Sequence, residues 1–463
     1  MSAPDIDSKL LSHFEPLAGD AHLTFVLGAG ASAPSGLPGW NEFASRVAIS
    51  SGLVRDQTAA KILLDHQDPM FLLEAAKLRA KGEWETHLNE ALYGNPPSER
   101  EPSPVHLSAV SHFLSAPEKT TLSTLNFDTL LEETMLSEGS SNIRIGNEGE
   151  EPKGFFTVHH LHGALHDNRA LNPIVCFRDY AELLDDRHAW QRKFLSRALD
   201  RGPMLLAGTT FRDPDIRQWL HLILTEDKPD YRPLVTIARE SLGLDKKSFV
   251  KIKQALEDQW DSIGIKALLL QDLTDVALII RELKYLNEPG YRSPQERATI
   301  VVRKHNKSFE RLQGIYSQEL TRAALKISQQ TNNKALRATL WLANGRGKLV
   351  RWSTESTRYL SPKHLKTVPT GHDSPWIAGE AIGTEVPKIK NIPRDHSVRP
   401  KWKSVLAIPI NAGDGRSPDF STGVLTFGMK SSAESTLGNN SDLKVVITEL
   451  GDEWSARLSE VAF

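Results

Sequence analysis

The chain has 463 residues, enough for about three domains of average size or for two large ones. Hydrophobic residues make up 39% and charged residues 25% of the sequence, a composition that excludes a disordered or collagen-like chain. The 56 basic and 58 acidic residues nearly cancel to a net charge of -2, so nucleic acid is not expected as a partner.

Apolar runs and cysteine content restrict where the chain works. No apolar run approaches the roughly 18 residues that a membrane-spanning helix needs. The first ten residues carry acids and no apolar core, so they do not resemble a signal peptide. The single cysteine, Cys176, excludes a disulfide framework and a four-cysteine zinc site and favours a reducing compartment. We therefore expect a cytoplasmic protein without a membrane partner.

Short apolar runs alternate with segments of helical periodicity in the first part of the chain. A helical lead-in of the first twenty residues precedes them, and helical spacing follows at residues 57–64, 71–81 and 190–199. Strands alternating with helices predict a parallel sheet covered on both faces. The predicted strands are residues 23–27, 121–125, 156–160, 173–176, 204–207, 234–238 and 265–270.

The pattern changes after residue 286. Residues 287–294 are rich in turn formers and indicate a boundary, and residues 295–330 predict a connecting helix. Beyond them, Asn344-Gly345 joins two predicted strands in a hairpin. The predicted elements are strands 338–343, 348–353, 404–410 and 423–428 and helices 376–383 and 442–461. We therefore predict a first domain at 1–286, a linker and connecting helix at 287–330, and an α+β module at 331–463.

A glycine-rich turn, Gly28-Ala29-Gly30-Ala31-Ser32-Ala33, follows the first predicted strand and matches the pattern of dinucleotide-binding turns. Gly28 would permit a tight turn with positive φ, and Gly30 would let the backbone approach a pyrophosphate. A helix beginning there would offer free N–H groups to the phosphates. No acidic residue stands about 20 positions further on, which argues against a hydride-transfer enzyme. A turn without a ligand is the alternative.

The run Thr124-Leu125-Asn126-Phe127-Asp128 lies at the end of the next predicted strand. Polar side chains there face the ligand crevice of an open α/β sheet. Capping of the following helix by Asn126 and Asp128 is the alternative.

Three histidines, His159, His160 and His162, lie at the end of another predicted strand. Strand alternation would place His160 and His162 on one face and His159 on the other. No cysteine or HExxH pattern accompanies them, so no metal site is predicted. His162 is favoured as functional because Gly163 would open space beside it, and a structural histidine is the alternative.

Gly208 and Thr209 come directly after the strand predicted at 204–207, at the end where a ribose or phosphate would be held. Asp213 and Pro214 then form a helix start, with Asp213 as N-cap and Pro214 in the first turn.

The ordered motifs GAGAS, SGLPGW, TLNFD, HLHG and GTTFRDPD resemble the SIR2-like family of NAD-consuming enzymes over residues 23–286, and its bacterial antiviral branch more than its protein deacylases. The resemblance implies a Rossmann-like parallel sheet with NAD as substrate. It also implies roles for individual residues: a pyrophosphate-binding loop at Gly28, Ala29, Gly30 and Ser32, a nicotinamide-ribose pocket at Asn126 and Asp128, a catalytic function for Asn126 and His162, and an adenosine-side loop at Gly208 and Thr209.

The departures from the deacylases are informative. Those enzymes carry a four-cysteine zinc module, and this chain has one cysteine. Gly39-Trp40-Asn41 stands where they have Asp-Phe-Arg, and the interval from Asn126 to His162 is long. The resemblance therefore implies an NAD glycohydrolase without a metal, acting in bacterial antiphage defence by NAD depletion. An ADP-ribosyl transferase, a deacylase and an NAD-binding sensor without turnover are the alternatives.

Residues 337–463 resemble a GAF domain through the stretches SPWIAGEAI, KWKSVLAIPI and GVLTFG. The resemblance implies a small-molecule signal at this module and control of the catalytic domain. Trp352, Trp376 and Trp402 either line its pocket or belong to its core, and core is the commoner role. Because long connecting helices often pair, we expect a homo-oligomer.

Overall fold

The computed structural model describes residues 3–97, 100–149, 152–186, 188–209, 214–331, 333, 336–392, 402–437 and 441–463. The chain divides into two compact units. The parallel-sheet unit is Gly19–Arg281, and the antiparallel-sheet unit combines the residues up to Ala18 with Glu282–Phe463. The lead-in expected at the start of the first domain thus groups with the second unit.

Aspartate or serine side chains cap many of the helices, because these residues satisfy backbone N–H groups at a helix start. Such caps are Asp7, Asp56, Asp68, Ser103, Asp245 and Ser293. The helices are α1 Ser8–Leu11, α2 Ala29–Ser32, α3 Trp40–Ser50, α4 Gln57–His66, α5 Pro69–Arg79, α6 Trp84–Tyr93, α7 Pro104–Ser115, α8 Leu130–Ser137, α9 Phe177–Asp185, α10 Trp190–Arg201, α11 Pro214–Leu222, α12 Lys246–Asp261, α13 Leu273–Glu282, α14 Pro294–Lys307, α15 Phe309–Thr331, α16 Ile377–Thr384, α17 Ala433–Leu437 and α18 Ser441–Ala462. The strands are β1 Leu23–Leu27, β2 Thr120–Thr124, β3 Ile143–Gly146, β4 Phe156–His160, β5 Ala164–His166, β6 Arg169–Leu171, β7 Met204–Ala207, β8 Pro233–Ala238, β9 Lys266–Leu270, β10 Arg337–Ala343, β11 Lys348–Thr354, β12 Thr367–Pro369, β13 Lys388–Asn391, β14 Ser404–Ala412 and β15 Phe420–Met429.

Seven parallel strands form the sheet of the first unit, in the order β3-β4-β2-β1-β7-β8-β9. All five residues of β1 are buried, as expected for a strand with helices on both faces. A core that includes Val26, Leu206 and Trp219 lies between the sheet and the helices α10 and α11. The predicted mixed α/β fold with a Rossmann-like parallel sheet is confirmed.

The sheet order creates a switch point between β1 and β7. The chain continues from β1 to β2 on one side and from β7 to β8 on the other. Loops that leave neighbouring strands in opposite directions open a crevice at their carboxyl ends, where open α/β sheets bind ligands. The motifs at Gly28 and Gly208 follow these two strands.

One predicted strand of this unit is wrong. Residues 173–176 form a loop before α9, and the N–H groups of Val175 and Cys176 donate to the Asp179 carboxylate instead of to a neighbouring strand. The apolar run reflects burial under helices, since Val175 and Cys176 are both fully buried. The edge strand β3, which is half-exposed, was not predicted.

Six antiparallel strands form the sheet of the second unit, in the order β12-β11-β10-β15-β14-β13. Its core joins this sheet to α15 and α18 and contains Trp352, Tyr316 and Trp454. Trp352 is therefore a core residue, whereas Trp376 is 42% exposed and lies under the ammonium group of Lys366. The separate antiparallel sheet agrees with the predicted α+β module, and its GAF-like identity stays a prediction.

The connecting helix predicted at 295–330 is wrong in one respect. It consists of two helices, α14 and α15, that meet at Ser308, and both belong to the antiparallel-sheet unit. The apolar side of α15, including Leu312, Leu320 and Ile327, is buried in the core of this unit. Among the described residues, no helix is both long enough and apolar enough to cross a membrane.

Candidate functional site

The two glycine loops of the switch point are in direct contact. The N–H group of Gly30 donates to the carbonyl oxygen of Gly208 at 2.6 Å, and that of Gly28 donates to Ala207 at 2.8 Å. A Cβ atom placed on Gly30 would lie 2.6 Å from the Gly208 oxygen. The structure thus brings together the two loops that the family resemblance assigned to the pyrophosphate and to the adenosine side of NAD.

The reason for each glycine differs from the prediction. Gly28 has φ of -111°, so the positive φ predicted there is wrong. Crowding excludes any side chain at this position, because a Cβ atom on Gly28 would lie 2.8 Å from the Cβ of Thr209. The positive φ occurs at Gly208, at +70°, where a Cβ atom would lie 2.5 Å from the backbone nitrogen of Ala31. The expected helix after the turn is α2, a single turn that starts at the exposed Ala29.

Ser32 is the centre of a buried hydrogen-bond cluster beside these loops. Its hydroxyl donates to Asp128 Oδ2 at 2.8 Å and accepts from Asn126 Nδ2 at 2.8 Å. Asn126 Nδ2 also donates to the carbonyl oxygen of Gly28 at 3.1 Å. Asn126 and Asp128 are 8% and 6% exposed, so the cluster is withdrawn from bulk water yet reaches the surface of the crevice.

The cluster fixes the orientation of the Asn126 amide. A backbone carbonyl can only accept, so the atom facing Gly28 must be the nitrogen. Both amide protons are then used, by Gly28 and by Ser32. None of the described residues donates to Asn126 Oδ1, which therefore stands as an acceptor available to a bound hydroxyl group.

His106 supports Ser32 from the opposite side. The backbone N–H of Ser103 donates to His106 Nδ1 at 3.2 Å, so the neutral ring carries its proton on Nε2. Nε2 lies 3.3 Å from the Ser32 hydroxyl and donates to it. Burial lowers the pKa of His106 to about 4, which keeps the ring neutral near pH 7.

Asp128 is the acidic member of the cluster. Burial raises the pKa of its carboxyl group to about 6, and the hydrogen bond from Ser32 offsets part of that shift. Its other oxygen, Oδ1, accepts from the backbone N–H of Leu130 at 3.3 Å. Asp128 therefore caps the start of α8, which is the structural role predicted as the alternative, and it also contacts Ser32.

A second charged pair lies behind Asn126. His160 Nε2 is 2.8 Å from Glu132 Oε1, and His160 Nδ1 is 3.1 Å from the carbonyl oxygen of Asn126. Both partners are acceptors, so both ring nitrogens carry protons. Burial lowers the pKa of His160, but the Glu132 carboxylate outweighs it, and the pKa stands above its ordinary value. The resulting ion pair anchors the backbone of Asn126.

His162 lies in the turn beyond β4, since the strand ends at His160. The predicted alternation therefore does not extend to His162. Its ring is 2% exposed and meets Tyr180 edge to face at 5.5 Å. Gly163 has φ of +78°, and a Cβ atom there would lie 2.2 Å from the carbonyl oxygen of Asn172, so this glycine is packed against backbone and does not open a space.

The structure thus unites most of the predicted site. Hydrogen bonds and close approaches join the predicted residues Gly28, Gly30, Ser32, Asn126, Asp128, Gly208 and Thr209. The turn that carries His162 is tied to β2 by the bond from Leu161 N to the Thr124 oxygen at 2.9 Å. His106, His160 and Glu132 were not predicted. Residues 210–213, which include the predicted cap Asp213, lie outside the described residues.

Comparison with known proteins relates part of this site to a known family. A family model described as a SIR2-like domain matches residues 120–268, from β2 into β9. This part of the chain is similar to a SIR2-like domain. The match includes Asn126, Asp128, His162 and Gly208, and the first glycine loop precedes it.

Two solved structures are similar to the chain. A complex of a SIR2 homolog with NAD is 16% identical with a TM-score of 0.34, covering 62% of this chain and 98% of that chain. A SIR2 complex with the inhibitor EX-527, 2'-O-acetyl-ADP-ribose and a deacetylated p53 peptide is 13% identical with a TM-score of 0.28, covering 58% of this chain and 95% of that chain. No curated protein matches the chain.

Proposed function

We propose that the parallel-sheet unit is an NAD glycohydrolase that cleaves NAD to nicotinamide and ADP-ribose. The observation that carries the proposal is the Asn126 amide, fixed with Oδ1 free to accept, at the carboxyl edge of the sheet beside the switch point. The SIR2-like match over residues 120–268 supports NAD as the ligand. The single cysteine of the chain supports a reaction without a four-cysteine zinc module.

The chemistry needs few groups. Cleavage of the nicotinamide–ribose bond passes through an oxocarbenium-like transition state, as in glycoside hydrolysis. The leaving nicotinamide already carries a positive charge, so no acid has to protonate it. Asn126 Oδ1 accepts from a ribose hydroxyl and orients the sugar. The ionised Asp128 carboxylate, whose pKa is about 6, stabilises the developing cation at pH 7.

His162 is the proposed general base. A neutral imidazole accepts a proton from water or from a ribose hydroxyl near pH 7. Its buried place in the turn after β4 limits access of bulk water. The expectation that no metal takes part stays a prediction.

The Asn126→Ala variant tests the assignment of the amide. We expect nicotinamide release to fall by about 10²-fold or more, as for removal of one oriented polar group from an active site. The matched control is Asn89→Ala, which removes another buried asparagine of the same unit, bonded to the Glu85 carbonyl in α6. Wild-type turnover in Asn126→Ala would refute the assignment, and equal losses in both variants would indicate misfolding instead.

The alternatives give different products in the same assay. Bound but intact NAD identifies a sensor without turnover. Nicotinamide release that requires an added protein, with label from NAD appearing on that protein, identifies an ADP-ribosyl transferase, and loss of an acyl group from a lysine peptide identifies a deacylase. Parallel reactions with NADP determine which dinucleotide is preferred.

We also propose that the antiparallel-sheet unit, through its GAF-like resemblance, responds to a small-molecule signal and controls turnover. Deleting the residues from 331 onward would remove Trp352 and Trp454 and expose the apolar side of α15 that packs against them. The test therefore compares NAD turnover of the full chain with that of residues 19–281, the boundaries of the compact unit. Identical rates under all conditions would refute the control.

The biological proposals are defence against phage by NAD depletion and action as a homo-oligomer. We expect the NAD content of cells carrying the wild-type chain to fall after phage infection and to persist with Asn126→Ala. Sedimentation of the purified chain tests the oligomer, and a monomer at all concentrations would refute it.

A further inference from the structure

A cavity lies against the face of the parallel sheet that α10 covers. It measures about 400 Å³, and Thr24 of β1 and Thr121 of β2 form its floor. These two residues are direct neighbours in the strand register. Thr24 precedes Gly28 by four residues, which is about 13 Å of strand. The cavity therefore lies away from the glycine loops at the carboxyl edge.

The floor of this α10 cavity is polar where a sheet normally packs with aliphatic side chains. Thr24 is fully buried, and its hydroxyl has no hydrogen-bond partner within the described part of the chain. A buried hydroxyl without a partner costs about 1–3 kcal/mol. Thr121 bonds to His22 Nε2 at 2.7 Å, so of these two hydroxyls only that of Thr24 lacks a partner among the described residues.

The wall of the cavity combines aromatic rings with cations. Trp190, Phe194, Arg197 and Arg201 recur at helical spacing and line the cavity from α10, together with Lys193. The rings occupy the first half of the helix, and the arginines occupy the second. Trp190 and Arg197 are separated by about 10 Å along the helix axis. This spacing suits a ligand with a flat apolar ring at one end and a negative charge at the other.

The charges of the lining favour a dianion. Lys193, Arg197 and Arg201 face one acid, Glu148, which leaves an excess of two positive charges. Arg201 donates to His22 Nδ1 at 3.2 Å. No carboxylate of the described residues pairs with Lys193 or Arg197. A phosphate monoester carries close to two negative charges at neutral pH.

We propose that the α10 cavity binds a nucleoside monophosphate. The base stacks against Trp190 and meets Phe194 edge to face, because the two rings stand at 72° to each other. The phosphate is held by Lys193 and Arg197. A ribose hydroxyl completes the hydrogen bonding of Thr24. The proposal concerns binding alone and holds whether or not the unit cleaves NAD.

Titration of the full chain with uridine 5'-monophosphate, followed by calorimetry, tests the proposal. Uridine is chosen because AMP is half of NAD and would compete for the candidate NAD site. We expect saturable binding that weakens about 5- to 150-fold in Trp190→Ala, the usual effect of losing one base-stacking ring. Arg197→Ala weakens it about tenfold or more. Trp190→Phe keeps most of the affinity, which separates loss of stacking from misfolding.

The matched control is Arg192→Ala, on the same helix but outside the cavity, where the arginine pairs with Glu226 at 2.8 Å. We expect its affinity to equal that of the wild type. Thr24→Val preserves the volume and removes the hydroxyl, and it weakens binding about 2- to 10-fold without lowering the thermal midpoint of the free chain. No binding at millimolar ligand, or affinity that falls in Asn126→Ala and survives in Arg197→Ala, would overturn the proposal.

Discussion

The substitution Ser32→Ala tests whether the hydrogen-bond cluster holds the candidate site together. It removes the bonds of Ser32 to Asn126 and Asp128, both 2.8 Å, and to His106, 3.3 Å. Two buried donors, Asn126 Nδ2–H and His106 Nε2–H, lose an acceptor, and each orphaned group costs about 1–3 kcal/mol. Asn126 keeps its bond to Gly28, and bonds in one network are not additive. We therefore expect a loss of about 3 kcal/mol in the free energy of unfolding.

Urea denaturation of the full chain measures this loss, with Ser35→Ala as the matched control. Ser35 lies three residues further along the same loop, and its hydroxyl has no partner in the part of the chain that the structure describes. The control should lose no stability, because it removes a buried hydroxyl that has no hydrogen-bond partner among the described residues. Equal stabilities of Ser32→Ala and Ser35→Ala would refute the account of the cluster.

The same variant has a second consequence for pH dependence. The Ser32 hydroxyl lowers the pKa of Asp128 against the dominant effect of burial, so its removal raises that pKa above its value of about 6. If ionised Asp128 is needed for turnover, the acid limb of the NAD-cleavage profile shifts to higher pH in Ser32→Ala. An unchanged limb would show that Asp128 does not titrate in turnover.

Three further substitutions test other parts of the structure. Gly208→Ala combines a φ of +70° with a Cβ contact of 2.5 Å and should cost more than about 2 kcal/mol, whereas Gly36→Ala, at φ of +81° in open space, should cost about 1 kcal/mol in the same denaturation assay. Asp128→Asn tests the buried carboxyl group: burial raises its pKa from 3.8 to about 6, so the folded chain binds more protons between these values and loses stability as pH rises through them. The variant should therefore have the higher thermal midpoint at pH 8, with the difference disappearing below about pH 4, and a constant difference would contradict the assignment. Glu282→Gln leaves the fully buried Arg297 without its counter-ion and should destabilise the antiparallel-sheet unit by about 3–5 kcal/mol, measured by its loss of hydrogen-exchange protection.

Strands were predictable where a short apolar run is buried on both faces. The predicted bounds of β1, β4 and β7 agree with the structure. Residues 173–176 show the limit of this signal, because burial under helices produces the same apolar run as burial in a sheet. The break between α14 and α15 was missed because no proline or glycine marks it. No local pattern indicates that the helix ends before Phe309, whose side chain is buried in the core of the antiparallel-sheet unit.

The site was predictable where one motif supplies both the residue and its position. Asn126 and Asp128 follow β2 and lie in the cluster, as their place at a strand end indicated. His106 was missed because its partner Ser32 is 74 positions away, and only its place in the capping box at Ser103 is visible locally. The motif at Gly28 indicated that a glycine is needed there, but it did not show why. The reason is crowding by Thr209, which lies in a loop about 180 residues further along the chain.

Chromatography of NAD incubated with the purified chain, beside His162→Ala, tests the central claim most directly. We expect equimolar nicotinamide and ADP-ribose from the wild type and intact NAD from the variant. A thermal midpoint of His162→Ala equal to that of the wild type shows that the loss is catalytic. Nicotinamide release by a folded His162→Ala at the wild-type rate, or a wild type that binds NAD and leaves it intact, would contradict it.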